Sequence, residues 1–278
     1  MIVDVGAVAG HLEHSVRDFT DVAVVGISGG VDSSVIASIC VTALGKDNVH
    51  LISMPYDHVD LESFNARSAE LAERLGAPNH VVAIGETTSA LETAIAQVFP
   101  GQNLDVLTRA NTRPRIRMSV LYAIAGEIGY KSARRVRVMG TGHLSEDLIG
   151  YDTKGGDALC DIFILSDLVK SEVYQLARYY DVPASIIEAV PSAGLYPGQT
   201  DEEELGYSYD VLERATLALY ALLRDGIAAS EVSADHSTFQ GIERNIAEFV
   251  VNRYKAHSHK HEAPATVSLR RAGWFDPA

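Results

Sequence analysis

The stretch Asp21-Val-Ala-Val-Val-Gly-Ile-Ser-Gly-Gly-Val-Asp-Ser-Ser34 joins an apolar, β-branched run to a turn rich in glycine and serine. Residues 21–27 predict a buried strand, because parallel strands covered on both faces are apolar throughout. From Val31 to Leu44 the apolar residues follow helical spacing, and Gly45 is placed to cap the end of that helix. A strand that turns directly into a helix is typical of a parallel α/β sheet.

The turn itself, Ser28-Gly-Gly-Val-Asp-Ser33, has the composition of a phosphate-binding loop. Gly29 and Gly30 let the backbone approach a ligand closely, and the N–H groups at the start of the next helix favour an anion. Asp32 would repel a phosphate unless a divalent cation lay between them. A glycine-rich turn that only caps a helix is the structural alternative. The loop matches neither the Walker nor the Rossmann pattern, which argues against both classes.

Further along the chain, predicted strands alternate with predicted helices. Strands are predicted at 49–54, 80–84 and 135–139, and helices at 61–75, 91–98, 115–128, 171–180, 184–189, 209–223 and 239–256. This order predicts an α/β fold with a three-layer parallel sheet flanked by helices and with C-terminal helical additions. We expect a single domain over residues 1–278. The loops at 150–161 and 192–206 are long for a compact domain, which indicates a function.

Composition narrows the class of protein. The chain has 278 residues, of which 47% are hydrophobic and 22% charged, a globular composition. Its formal charge of −14 disfavours a nucleic-acid partner. No apolar run is long enough to span a membrane, and the first residues lack a secretory-signal pattern. Cys40 and Cys160 cannot make a disulfide framework. We therefore expect a cytoplasmic protein with no membrane partner.

The loop resembles that of the ATP pyrophosphatase, or PP-loop, superfamily, whose members share S-G-G-x-D-S and an adenine-nucleotide alpha-hydrolase-like fold. Within that superfamily, the chain from about residue 20 to 276 resembles the ammonia-dependent NAD synthetases. The stretches that carry this resemblance are Asn111–Met118, Gly140-Thr-Gly-His-Leu-Ser-Glu146, Gly150-Tyr-Asp-Thr-Lys-Gly-Gly-Asp157, Asp167-Leu-Val-Lys170, Pro191–Leu195, Gly198–Glu202, Asn252-Arg-Tyr254, Ser258-His-Lys260 and Trp274-Phe275. Their order and spacing are more specific than the loop alone.

The resemblance implies roles for individual residues. ATP, the co-substrate, would be held by Gly26, Ser28, Gly29, Gly30, Asp32, Ser33, Ser34, Thr141, Lys170 and Ser192. Mg²⁺ would be bound by Asp32 and Glu146, which offer the oxygen ligands that this cation prefers. The acid substrate, nicotinate adenine dinucleotide, would contact Arg115, Arg117, Lys154, Asp157, Asp161, His259 and Lys260. Asp32 and Lys170 would be the catalytic residues.

The implied reaction is a ligation that forms a C–N bond. ATP activates the carboxylate of the acid as an acyl-adenylate, pyrophosphate leaves, and ammonia then displaces AMP. We expect no glutaminase domain, so the nitrogen would come from free ammonia or from a separate glutaminase subunit. The resemblance also implies a homodimer. A PP-loop enzyme that modifies tRNA fits poorly, because the chain is acidic and lacks paired catalytic cysteines.

For several of these residues a purely structural role, without ligand binding or catalysis, is the alternative. Lys170 and the arginines at 113, 115 and 117 could be solvated residues at a helix start, and Glu146 could be a helix N-terminal acid. Asp157 and Asp161 could simply form turns, and the alternating histidines at 257–261 fit a flexible tail better than a zinc site.

Three positions depart from the family pattern. Asp152 stands where an aromatic residue is typical, Ala158-Leu159 replaces two glycines, and Pro114 replaces a small residue in what we predict to be the first turn of a helix. The altered residues belong to the acid pocket, so the rival functions are a ligase for a different carboxylic acid and a non-catalytic nucleotide-binding homologue. We expect Asp152 either to be neutralised by Lys154 or a nearby arginine, or to recognise a donor group on another acid.

Overall fold

The computed structural model describes residues 1–56, 58–192 and 200–267, with residues 58–65 described by their backbone only. The motif residues Trp274-Phe275 and residues 193–199 of the predicted loop lie outside this range.

Within the described residues, five parallel strands form one sheet in the order β3-β2-β1-β4-β5. The strands are β1 (Val22–Ile27), β2 (Val49–Ser53), β3 (Asn79–Val81), β4 (Val136–His143) and β5 (Ile162–Leu165). β1 pairs with β2 on one side and with β4 on the other. The order of the strands reverses at β1, and in such sheets a ligand crevice lies at the carboxyl ends of the strands that flank the reversal.

Helices cover both faces of the sheet. They are α1 (Val5–Phe19), α2 (Val31–Leu44), α3 (His58–Leu75), α4 (Gly85–Ala96), α5 (Val106–Ser132), α6 (Leu144–Asp147), α7 (Lys170–Tyr179), α8 (Ala184–Ile187), α9 (Asp201–Leu205), α10 (Tyr209–Arg224) and α11 (Arg244–His257). None of the described helices is both long and apolar enough to cross a membrane.

The two faces have separate cores. Ala23 and Val25 of β1 are buried against α1, α2, α3 and α7, whereas Val22 and Val24 are buried against α5. This burial on both faces explains why the strand is a continuous apolar run rather than an alternating one. The predicted three-layer α/β fold is confirmed.

The C-terminal helices form a third core beside the sheet. Leu212 and Leu219 of α10 pack with Val250 of α11 and with Ile149, which follows α6. All four side chains are buried. This packing holds α6 and the loop that follows it close to the carboxyl end of β4, where His143 is the last residue.

Four elements were not predicted: α1, α6, α9 and β5. The last three are only four or five residues long, too short for a periodic pattern. α5 begins at Val106 rather than Arg115, so Pro114 lies inside the helix and not in its first turn. A proline there cannot donate to the i−4 carbonyl. It packs against the loop after α6, because a Cβ added at Gly156 would lie 2.9 Å from the Pro114 Cβ atom.

Candidate active site

A cavity of about 300 Å³ opens at the carboxyl ends of β1, β2 and β4. It brings together most of the residues that the sequence assigned to ATP. Those that line it are Gly26, Ser28, Gly29, Gly30, Asp32, Ser33, Thr141, Lys170 and Ser192. Glu146 joins them from α6. Residues separated widely in sequence therefore share one site.

The loop after β1 is held by its own serines. Gly29 has a φ of +74°, a conformation that favours glycine. The N–H of Gly30 donates to Ser28 Oγ at 3.2 Å, and the hydroxyl of Ser33 donates to the Gly30 carbonyl at 3.1 Å. No described side chain caps the start of α2. The first N–H groups of this helix are therefore available to an anion such as a phosphate.

Gly26 and Ser34 serve the packing of this loop. A Cβ at Gly26 would lie 3.2 Å from Leu121 and 3.3 Å from Met54. The Ser34 side chain is buried and donates to the Gly30 carbonyl at 2.7 Å. Gly26 still borders the cavity, whereas Ser34 is not among the residues that line it in the described part of the chain.

A buried ion pair lies beside the loop. The Lys170 ammonium is 2.8 Å from both carboxylate oxygens of Asp32, although the two residues are 138 positions apart. Only 4% of the Lys170 side chain is exposed. His143 and Glu146 complete the cluster, with His143 Nε2 lying 3.3 Å from Lys170 Nζ and 3.5 Å from Glu146 Oε1. The alternative that Lys170 is a solvated lysine at the start of a helix is therefore excluded.

The charges of this cluster are strongly coupled. Although burial opposes ionisation, the ammonium of Lys170 keeps the pKa of Asp32 below its usual value. Burial and the negative charge of Asp32 raise the pKa of Glu146 well above its usual range. Burial, with the charge of Lys170 beside it, lowers the pKa of His143 to about 3, so this imidazole is neutral. One cation thus faces two carboxyl groups.

These carboxyl groups suit a divalent cation. Ligand atoms of Asp32, His143 and Glu146 all lie within 4.8 Å of one another. Carboxylate oxygens are the ligands that Mg²⁺ prefers. The pKa of Glu146 is raised first by burial and then by the charge of Asp32, and a bound cation would offset both. The residues present therefore fit the metal that the family resemblance implies, which Asp32 and Glu146 would hold.

The sequence predicted no role for Asp201, Tyr151 or Tyr209, which lie in or beside this site. Asp201 lines the cavity and accepts hydrogen bonds from Tyr151 at 3.3 Å and from Tyr209 at 3.2 Å. The Tyr209 ring lies against His143, with ring centroids 5.8 Å apart, and Lys170 Nζ is 5.3 Å from its centroid. Tyr209 begins an otherwise ordinary amphipathic helix, so no local pattern marked it.

The residues assigned to the acid substrate divide into two groups. Arg117 and Asp157 line the cavity, whereas Arg115, Lys154, Asp161, His259 and Lys260 are not among its described lining residues. Asp161 accepts the backbone N–H of Val138 at 2.7 Å. Arg115 donates to the Lys154 carbonyl at 3.1 Å, and Lys154 donates to the His259 carbonyl. The second group therefore holds chain segments together in this structure.

The loop Gly150–Asp157 is clamped by the segment that follows α11. Lys260 Nζ donates to the carbonyls of Gly150 and Asp152, at 2.7 Å and 2.6 Å. It also lies 3.3 Å from the Asp152 carboxylate, which pairs with His261 as well. The expected partners of Asp152, Lys154 or an arginine, were wrong, since the neutralising residues are Lys260 and His261. The histidine-rich segment is thus part of the loop's support rather than a free tail.

Breaking this clamp should destabilise the protein. Only 6% of the Asp152 side chain is exposed, so Asp152→Asn leaves Lys260 and His261 without their counter-charge. We expect a loss of about 3 kcal/mol in the free energy of unfolding, measured with urea. The matched control is Asp235→Asn, which removes an exposed ion pair with Arg244 and should change stability by less than about 1 kcal/mol. An equal loss of unfolding free energy in Asp152→Asn and Asp235→Asn would contradict a stabilising role for the ion pairs of Asp152.

Asp147 should make stability depend on pH. Burial raises the pKa of Asp147 to about 7; His261 opposes the rise, and Asp152 and Asp157 add to it. The folded state therefore binds more protons than the unfolded state between about pH 4 and 7, and stability falls as the pH rises through this window. We expect Asp147→Asn to exceed the wild type by up to about 4 kcal/mol above pH 7, with the difference vanishing near pH 4. Urea unfolding at pH 4.5 and 8 measures this, with exposed Asp225→Asn as the control. A difference that is the same at both pH values would refute it.

Comparison of the sequence and of the fold with known proteins identifies the family of the chain. Residues 7–264 match the NAD synthase family. The NH(3)-dependent NAD(+) synthetase of Methanococcoides burtonii is 40% identical over 262 residues, covering 91% of this chain and 90% of that protein. The protein of the same name from Methanocaldococcus jannaschii is 37% identical over 247 residues, covering 88% of each. The NMN synthetase structure from Francisella tularensis superposes with a TM-score of 0.74 at 28% identity, covering 96% of this chain and all of that one.

Proposed function

Because the chain belongs to the NAD synthase family, we propose that it forms NAD by amidating nicotinate adenine dinucleotide with ammonia, with ATP as co-substrate. The observation that carries the proposal is the buried pair of Asp32 and Lys170, 2.8 Å apart beside the loop Ser28–Ser33. A cation and a metal-binding carboxylate next to a phosphate loop are what pyrophosphate departure requires.

The described residues support an adenylation step as the first half of the reaction. The glycine-rich loop and the start of α2 would hold the phosphates of ATP, and a bound Mg²⁺, held by Asp32 and Glu146, would supply neutralisation of their charge. A carboxylate oxygen of the acid attacks the α-phosphorus, and the bond from that phosphorus to the pyrophosphate oxygen breaks. Lys170 stabilises the negative charge that gathers on the departing pyrophosphate. The product is an acyl-adenylate.

The second step forms the amide. The nitrogen of ammonia attacks the acyl carbon, the bond from that carbon to the AMP oxygen breaks, and the nitrogen loses a proton. Exclusion of water matters here, because water that reached the acyl-adenylate would hydrolyse it. The clamp of Lys260 and His261 on the loop Gly150–Asp157 supports the wall of the cavity at this point.

A second candidate is amidation of a smaller acid, nicotinate mononucleotide. The structural similarity to an NMN synthetase favours it, as does Asp152, which replaces an aromatic residue typical of the family pattern. Its carboxylate is already paired with Lys260 and His261, so this part of the wall offers an ion pair where an aromatic side chain would offer a stacking surface. Loss of stacking is worth about 1 kcal/mol, which weakens binding without abolishing it. The dinucleotide therefore remains the first candidate.

One assay separates these functions. Pyrophosphate release is measured with ATP and Mg²⁺, with either nicotinate adenine dinucleotide or nicotinate mononucleotide as the acid, and with either ammonium or glutamine as the nitrogen donor. We expect the highest kcat/KM with the dinucleotide and ammonium. A higher kcat/KM with the mononucleotide would support the second candidate. Absence of pyrophosphate release with both acids would refute both candidates and leave the two rival functions, a ligase for a different carboxylic acid and a non-catalytic nucleotide-binding homologue.

The proposal includes a homodimer and a cytoplasmic location. The family resemblance implies the dimer, and exposed apolar side chains on and between α4 and α5 give it a surface: Leu91, Val98, Phe99, Val106 and Leu107. Cys40 and Cys160 are both unpaired, which suits a reducing compartment. Light scattering in solution tests the dimer. We also propose that residues 1–278 form a single catalytic domain.

A further inference from the structure

His143 contacts all three charged residues of the buried cluster beside the phosphate loop, Asp32, Glu146 and Lys170. Its ring is fully buried, and Nε2 lies 3.3 Å from Lys170 Nζ, 3.5 Å from Glu146 Oε1 and 3.6 Å from Asp32 Oδ1. We propose that His143 is a positioning residue, whose Nε2 lone pair fixes the ammonium of Lys170 for the adenylation step. This inference rests on the proposed function and assigns a role to a residue that the reaction does not otherwise use.

The geometry decides the direction of the contact. A lysine ammonium has only donors, so a hydrogen bond across the 3.3 Å contact makes Nε2 the acceptor. The ring proton then lies on Nδ1, a buried atom with no hydrogen-bond partner among the described residues. The three N–H groups of Lys170 are thereby divided, two to Asp32 and one to His143. An ammonium with three fixed directions is held more tightly than one on a single carboxylate.

The ring is itself held firmly in place. His143 ends β4, so its backbone is fixed by the sheet, and its ring lies edge-on to Tyr209. Tyr209 in turn donates to the buried Asp201. The backbone N–H of Lys170 donates to Ser145 Oγ at 3.1 Å, which ties the start of α7 to the residues that follow His143. Both partners of the contact are therefore anchored independently.

A second acceptor matters because Asp32 has two duties. Its carboxylate binds Lys170 in this structure and is also the proposed metal ligand. An Asp32 oxygen directed at a cation is a weaker partner for the ammonium, whereas Nε2 of His143 lies 3.3 Å from Lys170 Nζ and can still accept from it. Without His143 the ammonium can swing away from the departing pyrophosphate. Misplacing a charge by about 1 Å lowers a rate by roughly a hundredfold.

Two variants of similar volume test this role. The side-chain oxygen of His143→Gln can reach the position of Nε2 as an acceptor, whereas His143→Leu fills the space without one. We expect His143→Leu to lower kcat for pyrophosphate release by about a hundredfold while the KM values for ATP and for the acid change less than about threefold. His143→Gln should recover to within about tenfold of the wild type. His14→Leu, at an exposed position on α1, is the matched control.

Other outcomes overturn the proposal. If the Gln and Leu variants lose activity equally and in proportion to a fall in Tm, the role of His143 is structural. If His143→Leu raises the Mg²⁺ concentration needed for half-maximal rate while saturating Mg²⁺ restores kcat, His143 is a metal ligand instead.

Crystal structures of both variants with Mg²⁺ and a non-hydrolysable ATP analogue give a readout independent of turnover. We expect Lys170 to keep its place in the Gln variant and to move in the Leu variant, and an unmoved lysine in both would overturn the inference. Wild-type protein that releases no pyrophosphate would instead refute the proposed function, and these structures would still test His143.

Discussion

Replacing Asp32 by alanine is expected to lower the rate of pyrophosphate release by at least about a thousandfold. The carboxylate has two partners in the proposed reaction, the ammonium of Lys170 at 2.8 Å and the divalent cation that it would share with Glu146. Its loss removes a metal ligand and leaves the buried Lys170 without its ion pair. Both effects act on the phosphate groups that change charge during the step, so kcat should fall more than binding of the acid weakens.

A graded set of variants separates the two effects. Asp32→Asn keeps the shape of the side chain and an oxygen for Lys170, but it loses the charge that a metal ligand needs, so we expect it to be more stable than Asp32→Ala and nearly as inactive. Asp47→Asn, at an exposed position after α2, should leave turnover and stability unchanged. Urea unfolding and pyrophosphate release are measured on all three. A folded Asp32→Ala protein with wild-type turnover would refute the assignment of the phosphate loop.

The residues of the loop could be predicted because their pattern is local. Ser28, Gly29 and Asp32 lie within one turn. Close approach of the backbone to a ligand and binding of an anion at a helix start both depend on a few consecutive residues, so the sequence shows them. The structure also places Gly26 and Ser34 in roles that the loop needs internally, since one is constrained by Leu121 and Met54 and the other donates to Gly30. A sequence pattern shows that such a residue is required without showing which atom it faces.

Lys170 illustrates a different limit. Nothing in the residues around it distinguishes it from a solvated lysine at a helix start, and only the family resemblance implied its role. Its partner Asp32 is 138 positions away, and the parallel order of β1, β4 and β5 is what brings them together. His143 and Asp201 lie in stretches that carry the family resemblance but were assigned no role, because their roles come from burial beside other charges.

The acid-substrate side shows how one departure alters several roles. Asp152 is recognisable in the sequence as a charge in place of an aromatic residue, but its partners were not, because Lys260 and His261 reach it from the far end of the chain. Lys154 and Lys260, which resemble substrate-binding residues, are among those that hold this loop to the segment after α11 in this structure. Charge balance in a buried site is a property of the three-dimensional cluster, so it could not be predicted from the motif alone.

Replacing Lys170 by methionine is expected to lower the rate of adenylation by about a hundredfold to a thousandfold, with a much smaller change in the KM for the acid. Methionine keeps most of the volume of the lysine chain, so the loss isolates the charge. The ammonium stabilises negative charge that grows as pyrophosphate leaves, which is an interaction stronger in the transition state than in the ground state. Single-turnover measurements of adenylate formation report this step directly.

Stability provides the independent check on the same variant. Lys170→Met leaves the Asp32 carboxylate with no ammonium in a largely buried site, which should cost about 3 to 5 kcal/mol of unfolding free energy. Adding Asp32→Asn removes the uncompensated charge, so the double variant should be more stable than Lys170→Met alone while remaining inactive. Lys131→Met, which removes an exposed i,i+4 pair with Glu127, is the control and should alter neither the free energy of unfolding nor the rate of adenylation measurably.

If the double variant is no more stable than Lys170→Met alone, Asp32 and Lys170 do not form a buried ion pair. If Lys170→Met adenylates at the wild-type rate while its affinity for the acid collapses, Lys170 binds the acid and does not assist the departure of pyrophosphate.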